Sequence, residues 1–344
     1  MNKLDLNIAD KYLSHQIDLL RFAAGEQAKV IKLLKKMQAE LKAKLRGGII
    51  DLYKPARVKK LLKETTAIID GYYSQTAGSV DSIALAQNEA QFVTSTFAGV
   101  GLEATLPTEA ALKAIVSNSL IEGAPSAAWW ARQSEDTAFK FSNQVRQGIA
   151  QGETLQQIIY RVAGSKKFGI PGIMDITHRN ASALVHTSIM QVANDARMET
   201  FQANDDIVKG FHFLATLDSH TSLTCIAHSG AEWDIEGNPI VGNFLFEPPP
   251  LHFFCRSLLT PILITYRELG IDIDEPKGTR ASDLGQIPSD ITFDGFLKRH
   301  DAAYVDDKLG PGRAKLWRDG KITLSDLVSQ TGRPLTLKQL GEMK

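Results

Sequence analysis

Cysteine is nearly absent from this chain of 344 residues, which has two. Two cysteines cannot build a disulfide framework, so the fold must rest on buried apolar cores, which a chain of this length can form as two or three units. A surplus of either charge is also missing. Lys plus Arg and Asp plus Glu stand at 39 each, a formal net charge of zero. That balance argues against wholesale electrostatic binding to nucleic acid and leaves room only for a local basic face. No apolar run approaches transmembrane length, and the opening MNKLDLNIADKYLSHQ has no signal-peptide core. The expectation is a soluble protein made in a cytoplasm. Familiar catalytic signatures are lacking too. Residues 165–172 are rich in Gly but lack the Gly-Lys-Ser/Thr end of a phosphate loop, and no His-Glu-x-x-His occurs.

What is present concentrates between residues 211 and 261. Both cysteines lie there, each three residues from a histidine: Cys225-x-x-His228 and His252-x-x-Cys255. Two close pairs of thiolate and imidazole donors are what a tetrahedral zinc ion requires, so Cys225, His228, His252 and Cys255 form a candidate structural zinc set. Two other readings stay open: a knuckle held by hydrogen bonds with the thiols buried as small hydrophobes, and a disulfide. A cysteine nucleophile with a histidine base is a further reading, but a Cys-x-x-His step on one short turn brings no visible oxyanion hole. The expectation is therefore no enzyme.

Around this stretch the chain reads mostly as helix. From Leu13 to Leu45 apolar residues recur in steps of three and four (Leu13, Ile17, Leu20, Ala24, Ile31, Leu34, Leu41, Leu45), the pattern of one long amphipathic helix. Its lysines read as a solvated face, since glutamates and glutamines share the surface. A second helix is expected over 56–73, and Trp129 and Trp130 read as core or interface anchors. Thr154-Leu-Gln-Gln157 is a capping box. A helix over 176–204 has Ala181, Leu184, Val185, Ser188, Val192 and Ala196 as its inner stripe, with His178, Arg179, His186, Thr187, Asn194 and Arg197 as polar groups, mostly at the surface or in local hydrogen bonds. The period then switches to two at Phe211, Phe213 and Ala215, the mark of a strand, and further strands are expected over 231–235 and 257–263. Residues 271–288, rich in Asp, Gly and Pro, read as an extended arm.

Several of these pieces together resemble one family. They are Thr187 with Asn194-x-x-Arg197, Asp218-x-His220-Thr221, Cys225-x-x-His228-x-Gly230-x-x-Trp233 and Pro249-Pro250-x-His252-x-x-Cys255-Arg256. Their order and spacing resemble the bacteriophage Mu F-like minor head proteins, also called phage head-morphogenesis proteins, over roughly residues 140 to 262. The tail from Phe293 to Leu340 is similar to the C-terminal segment of many such proteins. Two positions depart from the family pattern: His220 stands where Arg is usual, and Ser257 where a further cysteine often follows. The resemblance implies a minor capsid component of the virion, associated with the portal vertex in head assembly and in genome packaging or ejection. Implied partners are the portal and major capsid proteins; self-association and DNA contact stay open, and no membrane is involved. The expected fold is α+β: a helical region (1–140), a Cys/His-knuckle module (141–265), and an arm-like C-terminal tail with short helices (266–344).

Overall fold

The computed structural model describes residues 3–47, 54–265, 268, 279–288, 291–329 and 333–342. The fold is α+β, mostly helical with a small antiparallel sheet. In chain order the helices begin with α1 (Lys3–Gly47), α2 (Pro55–Ala77), α3 (Ser82–Ala98) and α4 (Glu109–Asn118). They continue with α5 (Ser126–Ala150), α6 (Leu155–Ala163) and α7 (Ile173–Gln202). Strand β1 (Val208–Leu214), helix α8 (Leu223–His228) and strands β2 (Glu232–Asp234), β3 (Pro239–Val241) and β4 (Leu258–Leu263) follow. A hairpin of β5 (Thr279–Ser282) and β6 (Gly285–Pro288) leads to the short helices α9 (Phe293–Leu297), α10 (Ala302–Leu309), α11 (Pro311–Arg318) and α12 (Leu337–Glu342).

These elements form two compact units, each discontinuous in sequence. Unit 1 comprises Met1–Leu20, Ile83–Ser117 and Met190–Lys344; unit 2 comprises Arg21–Ser82 and Asn118–Ile189.

Unit 1 is built on the sheet, in the order β3-β2-β1-β4 with every pairing antiparallel. Strand β1 is buried on both faces, so Phe211 and Phe213 point into apolar surroundings and so does Leu214. Phe211 stacks on Phe246 and Phe201. Close approach of β1 and β2 depends on Gly210, where a Cβ would lie 2.1 Å from the Trp233 carbonyl oxygen.

The C-terminal segment corrects the expectation of an arm. Residues 271–278 lie outside the described residues, but 279–288 form the β5–β6 hairpin. The short helices are present as expected, and Phe293, Phe296, Leu297, Val305 and Leu309 are buried in the same core as the sheet. Apolar residues at 293, 296 and 297 share one helical face, and that spacing outweighs the Asp and Gly around them.

Unit 2 is helical. Helices α2 and α5 pack together, and Tyr73 of α2 hydrogen-bonds Thr137 of α5 at 2.9 Å. The capping box of α6 forms as expected, with Thr154 and Gln157 bonded reciprocally. Trp130 is buried, while Trp129 donates its indole N–H to Ile121 O at 2.7 Å.

The long first helix exists, yet its buried seam is not quite the expected one. Leu13, Leu34, Leu41 and Leu45 are buried, but Ile17 and Ala24 are exposed. Tyr12, Gln16, Leu19, Ala23, Val30 and Met37 take the inner positions instead. The shift has a polar cause in Gln16, whose amide is drawn inward to Met190 Sδ (3.2 Å), Arg197 (3.2 Å) and the Arg256 carbonyl (3.3 Å). In helix α7, His186, Thr187, Asn194 and Arg197 are buried; Thr187 and Asn194 make the expected local bonds, to the Ala183 carbonyl (2.8 Å) and the Met190 carbonyl (2.9 Å).

A candidate metal centre

Helix α8 presents Cys225 to the interior, and its start is fixed by Ser222, whose hydroxyl accepts the Cys225 N–H at 3.2 Å. The opposing donors come from the loop that runs into β4. There Phe254 adopts a left-handed backbone (φ 62°), which reverses the chain between His252 and Cys255. A bulky residue in that region is strained by about 1–3 kcal/mol, held in place by its surroundings.

Three of the four expected ligands converge. Donor atoms of Cys225, His252 and Cys255 all lie within 4.8 Å of one another. Cys225 Sγ is 3.6 Å from Cys255 Sγ and 3.2 Å from His252 Nε2. Around a tetrahedral zinc ion, with bonds of about 2.3 Å to sulfur and 2.0–2.1 Å to nitrogen, these separations would be about 3.8 and 3.6 Å. The observed distances fit with small adjustments. His252 Nδ1 faces the Phe253 carbonyl at 2.8 Å, a bond that puts its proton there and turns the Nε2 lone pair toward the sulfurs. Ser222 Oγ also meets Nε2, at 2.7 Å. The cavity beside Cys225 and His252 measures about 10 Å³, room for one water or ion.

His228 does not join this group, contrary to the four-ligand expectation. Its Nδ1 bonds the Thr224 carbonyl at 2.8 Å and its ring stacks on Phe244 at 4.0 Å. Burial pushes its pKa down, favouring the neutral ring. A three-residue step puts 225 and 228 on one helical face, but the Phe244 ring draws the imidazole away. A fourth zinc position would therefore fall to Ser222 or a water.

The two thiols behave as one acid. The hydrogen bond from Cys255, with help from His252 and Ser222, pulls Cys225 well below the ordinary thiol range. The same bond to Cys225, together with burial, pushes Cys255 up. One thiolate is thus favoured at Cys225, which is the form a metal binds.

The remaining motif residues brace the group. Arg256 grips Asp218 through two bonds of 2.5 and 2.7 Å. Asp218 also accepts the His220 N–H at 2.8 Å and the Thr221 hydroxyl at 3.3 Å. Only the backbone of His220 takes part in this clasp; its exposed ring lines the small cavity. A guanidinium at that position is not needed to close the turn. Ser257 is buried and lines the same cavity.

Farther off, Arg197 donates from Nε to Glu89 at 2.8 Å, and His15 Nε2 meets the same carboxylate at 2.7 Å. Glu89 was invisible to motif reading. It sits within α3, and its partner is 108 positions away.

Among the described residues no helix is long and apolar enough to cross a membrane. Comparison with curated proteins and with solved structures gives no match. Residues 139–260, which hold every motif piece of the site, match the family described as phage Mu protein F like protein.

Proposed function

We propose that this protein is a structural, non-catalytic component of a phage head, docking at the portal vertex through its Mu F-like module. The observation that carries the reading is the family match over residues 139–260. Portal and capsid proteins are the partners this implies, and the virion is its place. Non-catalytic character is supported by the thiols being 2 and 1 % exposed, beside a cavity with room for an ion rather than a substrate. Mass spectrometry of purified heads, with cross-linking to the portal, is the test. Recovery of the chain cross-linked to portal protein supports the proposal, and its absence from heads refutes it.

Within the module, the proposed role of Cys225, His252 and Cys255 is to hold a structural zinc ion. Such an ion would tie α8 to the loop before β4 and add to the stability of the fold. Elemental analysis of purified protein should give about one zinc per chain. Cys225→Ser or Cys255→Ser should lose the metal, while His228→Gln should retain it. A folded, metal-free sample ends the zinc reading. If thiol titration then finds no free thiol, a disulfide takes its place; two free thiols would leave the hydrogen-bonded knuckle.

A further inference from the structure

The chain's zero net charge is the sum of two large and opposite terms. Unit 2 contains 20 lysines and arginines against 11 aspartates and glutamates, a formal charge of +9, and unit 1 carries the balancing −9. Four of the acids of unit 2 are paired with its own cations. Glu26 pairs with Lys29 at 2.6 Å, Glu64 with Lys44 at 3.2 Å, Asp136 with Arg132 at 3.3 Å, and Glu153 with Arg161 at 2.5 Å.

The surplus has a pattern. Val30, Leu34, Met37, Leu41 and Leu45 define the buried side of α1. On the opposite side Lys29, Lys32, Lys35, Lys36, Lys42 and Arg46 fall within an arc of about 140° at 3.6 residues per turn. Between Arg21 and Arg46 that arc holds only Arg, Lys, Ala and Gly. Helix α2, antiparallel to this part of α1 and tied to it by Lys44–Glu64 and Tyr72–Glu40, exposes Lys59, Lys60 and Lys63 opposite its own buried side.

We propose that this helical face binds the phosphate backbone of duplex DNA without regard to sequence. A protein partner would be met by aromatic and aliphatic anchors, and lysine is depleted where proteins dock on proteins. The arc itself carries no such anchor, the exposed Phe22 lying about 20° outside it. Its alanines and Gly25 keep the ridge low, so that lysine stems can reach a neighbouring surface. The stripe from Lys29 to Arg46 is about 25 Å long, alongside which duplex DNA offers about 15 negative charges. Contacts from these side chains to phosphate oxygens fix position without reading base edges, hence the absence of sequence preference. The inference goes beyond the head-docking reading and does not depend on it.

The test is fluorescence anisotropy of a labelled duplex of about 30 base pairs, in two unrelated sequences, titrated with the full-length protein between about 50 and 200 mM NaCl. Both sequences should bind equally, with log K falling against log salt at a slope of about −5. Lys32→Gln, Lys35→Gln and Lys36→Gln together should make that slope shallower by about 2.7 and weaken binding at low salt at least tenfold. The matched unit 1 control, Arg299→Gln, Lys315→Gln and Lys321→Gln, should bind as the parent does. Failure to bind at low salt, an unaffected α1 triple, or an equally damaged control each overturns the proposal. If duplex is not bound but sedimentation shows salt-sensitive self-association that the α1 triple abolishes, the occupant is the acidic surface of a second copy. The assay uses purified protein, so it reads independently of whether the chain is found in heads.

Discussion

Glu89 and Arg197 illustrate what a single buried pair demands. Both side chains are 1 % exposed, so neither charge is answered by water. Burial pushes the Glu89 carboxyl up, and the Arg197 charge with the His15 bond more than reverses it, leaving the group below its ordinary value. A depressed folded pKa means the pair's stabilisation is fully present above the unfolded value, about 4.3. It is lost as pH falls through the lower, folded value. Glu89→Gln should therefore cost about 3 kcal/mol at neutral pH and flatten the acid limb of stability against pH below about 4. Urea melts across that range check both. The motif around Arg197 was legible in the sequence, but its buried partner was not, because no spacing rule links positions in α3 and α7. The candidate site divides the same way. Cys225, His252 and Cys255 follow from composition and spacing, whereas the placement of His228 depends on Phe244, a neighbour that only the tertiary fold supplies.

Elements were most readable where local chemistry alone decides them. The reciprocal bonds of Thr154 and Gln157 start α6 as the sequence says, and the alternation at Phe211 and Phe213 gives β1. The seam of α1 was misread because hydrophobicity ranks Ile17 above Gln16, while the fold needs the Gln16 amide for three partners. The hairpin of β5 and β6 was hidden by a composition that suits loops and turns alike. Strand packing offers a sharper check at Gly210. An added methyl would press on the Trp233 carbonyl, part of the backbone ladder that cannot rotate away. Gly210→Ala should destabilise unit 1 by about 1–3 kcal/mol, measured as a lower urea midpoint with an unchanged slope. An unchanged midpoint would mean that β1 and β2 have room to part.

At the level of the whole molecule, composition misleads where it averages. A balance of 39 against 39 reads as electrostatic neutrality, yet contact in space sorts the charges into unlike groups. Near pH 7.1, where the sequence has no net charge, the protein should be retained at low salt on both sulfonate and quaternary-amine columns. Evenly mixed charge would be held by neither. The C-terminal segment from residue 266 was likewise misjudged in the aggregate, since its Asp, Gly and Pro content outweighed a few well-spaced phenylalanines. One bond ties the first helix to the candidate metal centre. The Arg256 carbonyl, next to Cys255, accepts from Gln16, 240 positions earlier, and from Thr216. On the ribosome the first helix thus emerges long before the loop it steadies. Until translation passes residue 256, that glutamine is a socket without its plug, and any fragment ending sooner inherits the vacancy.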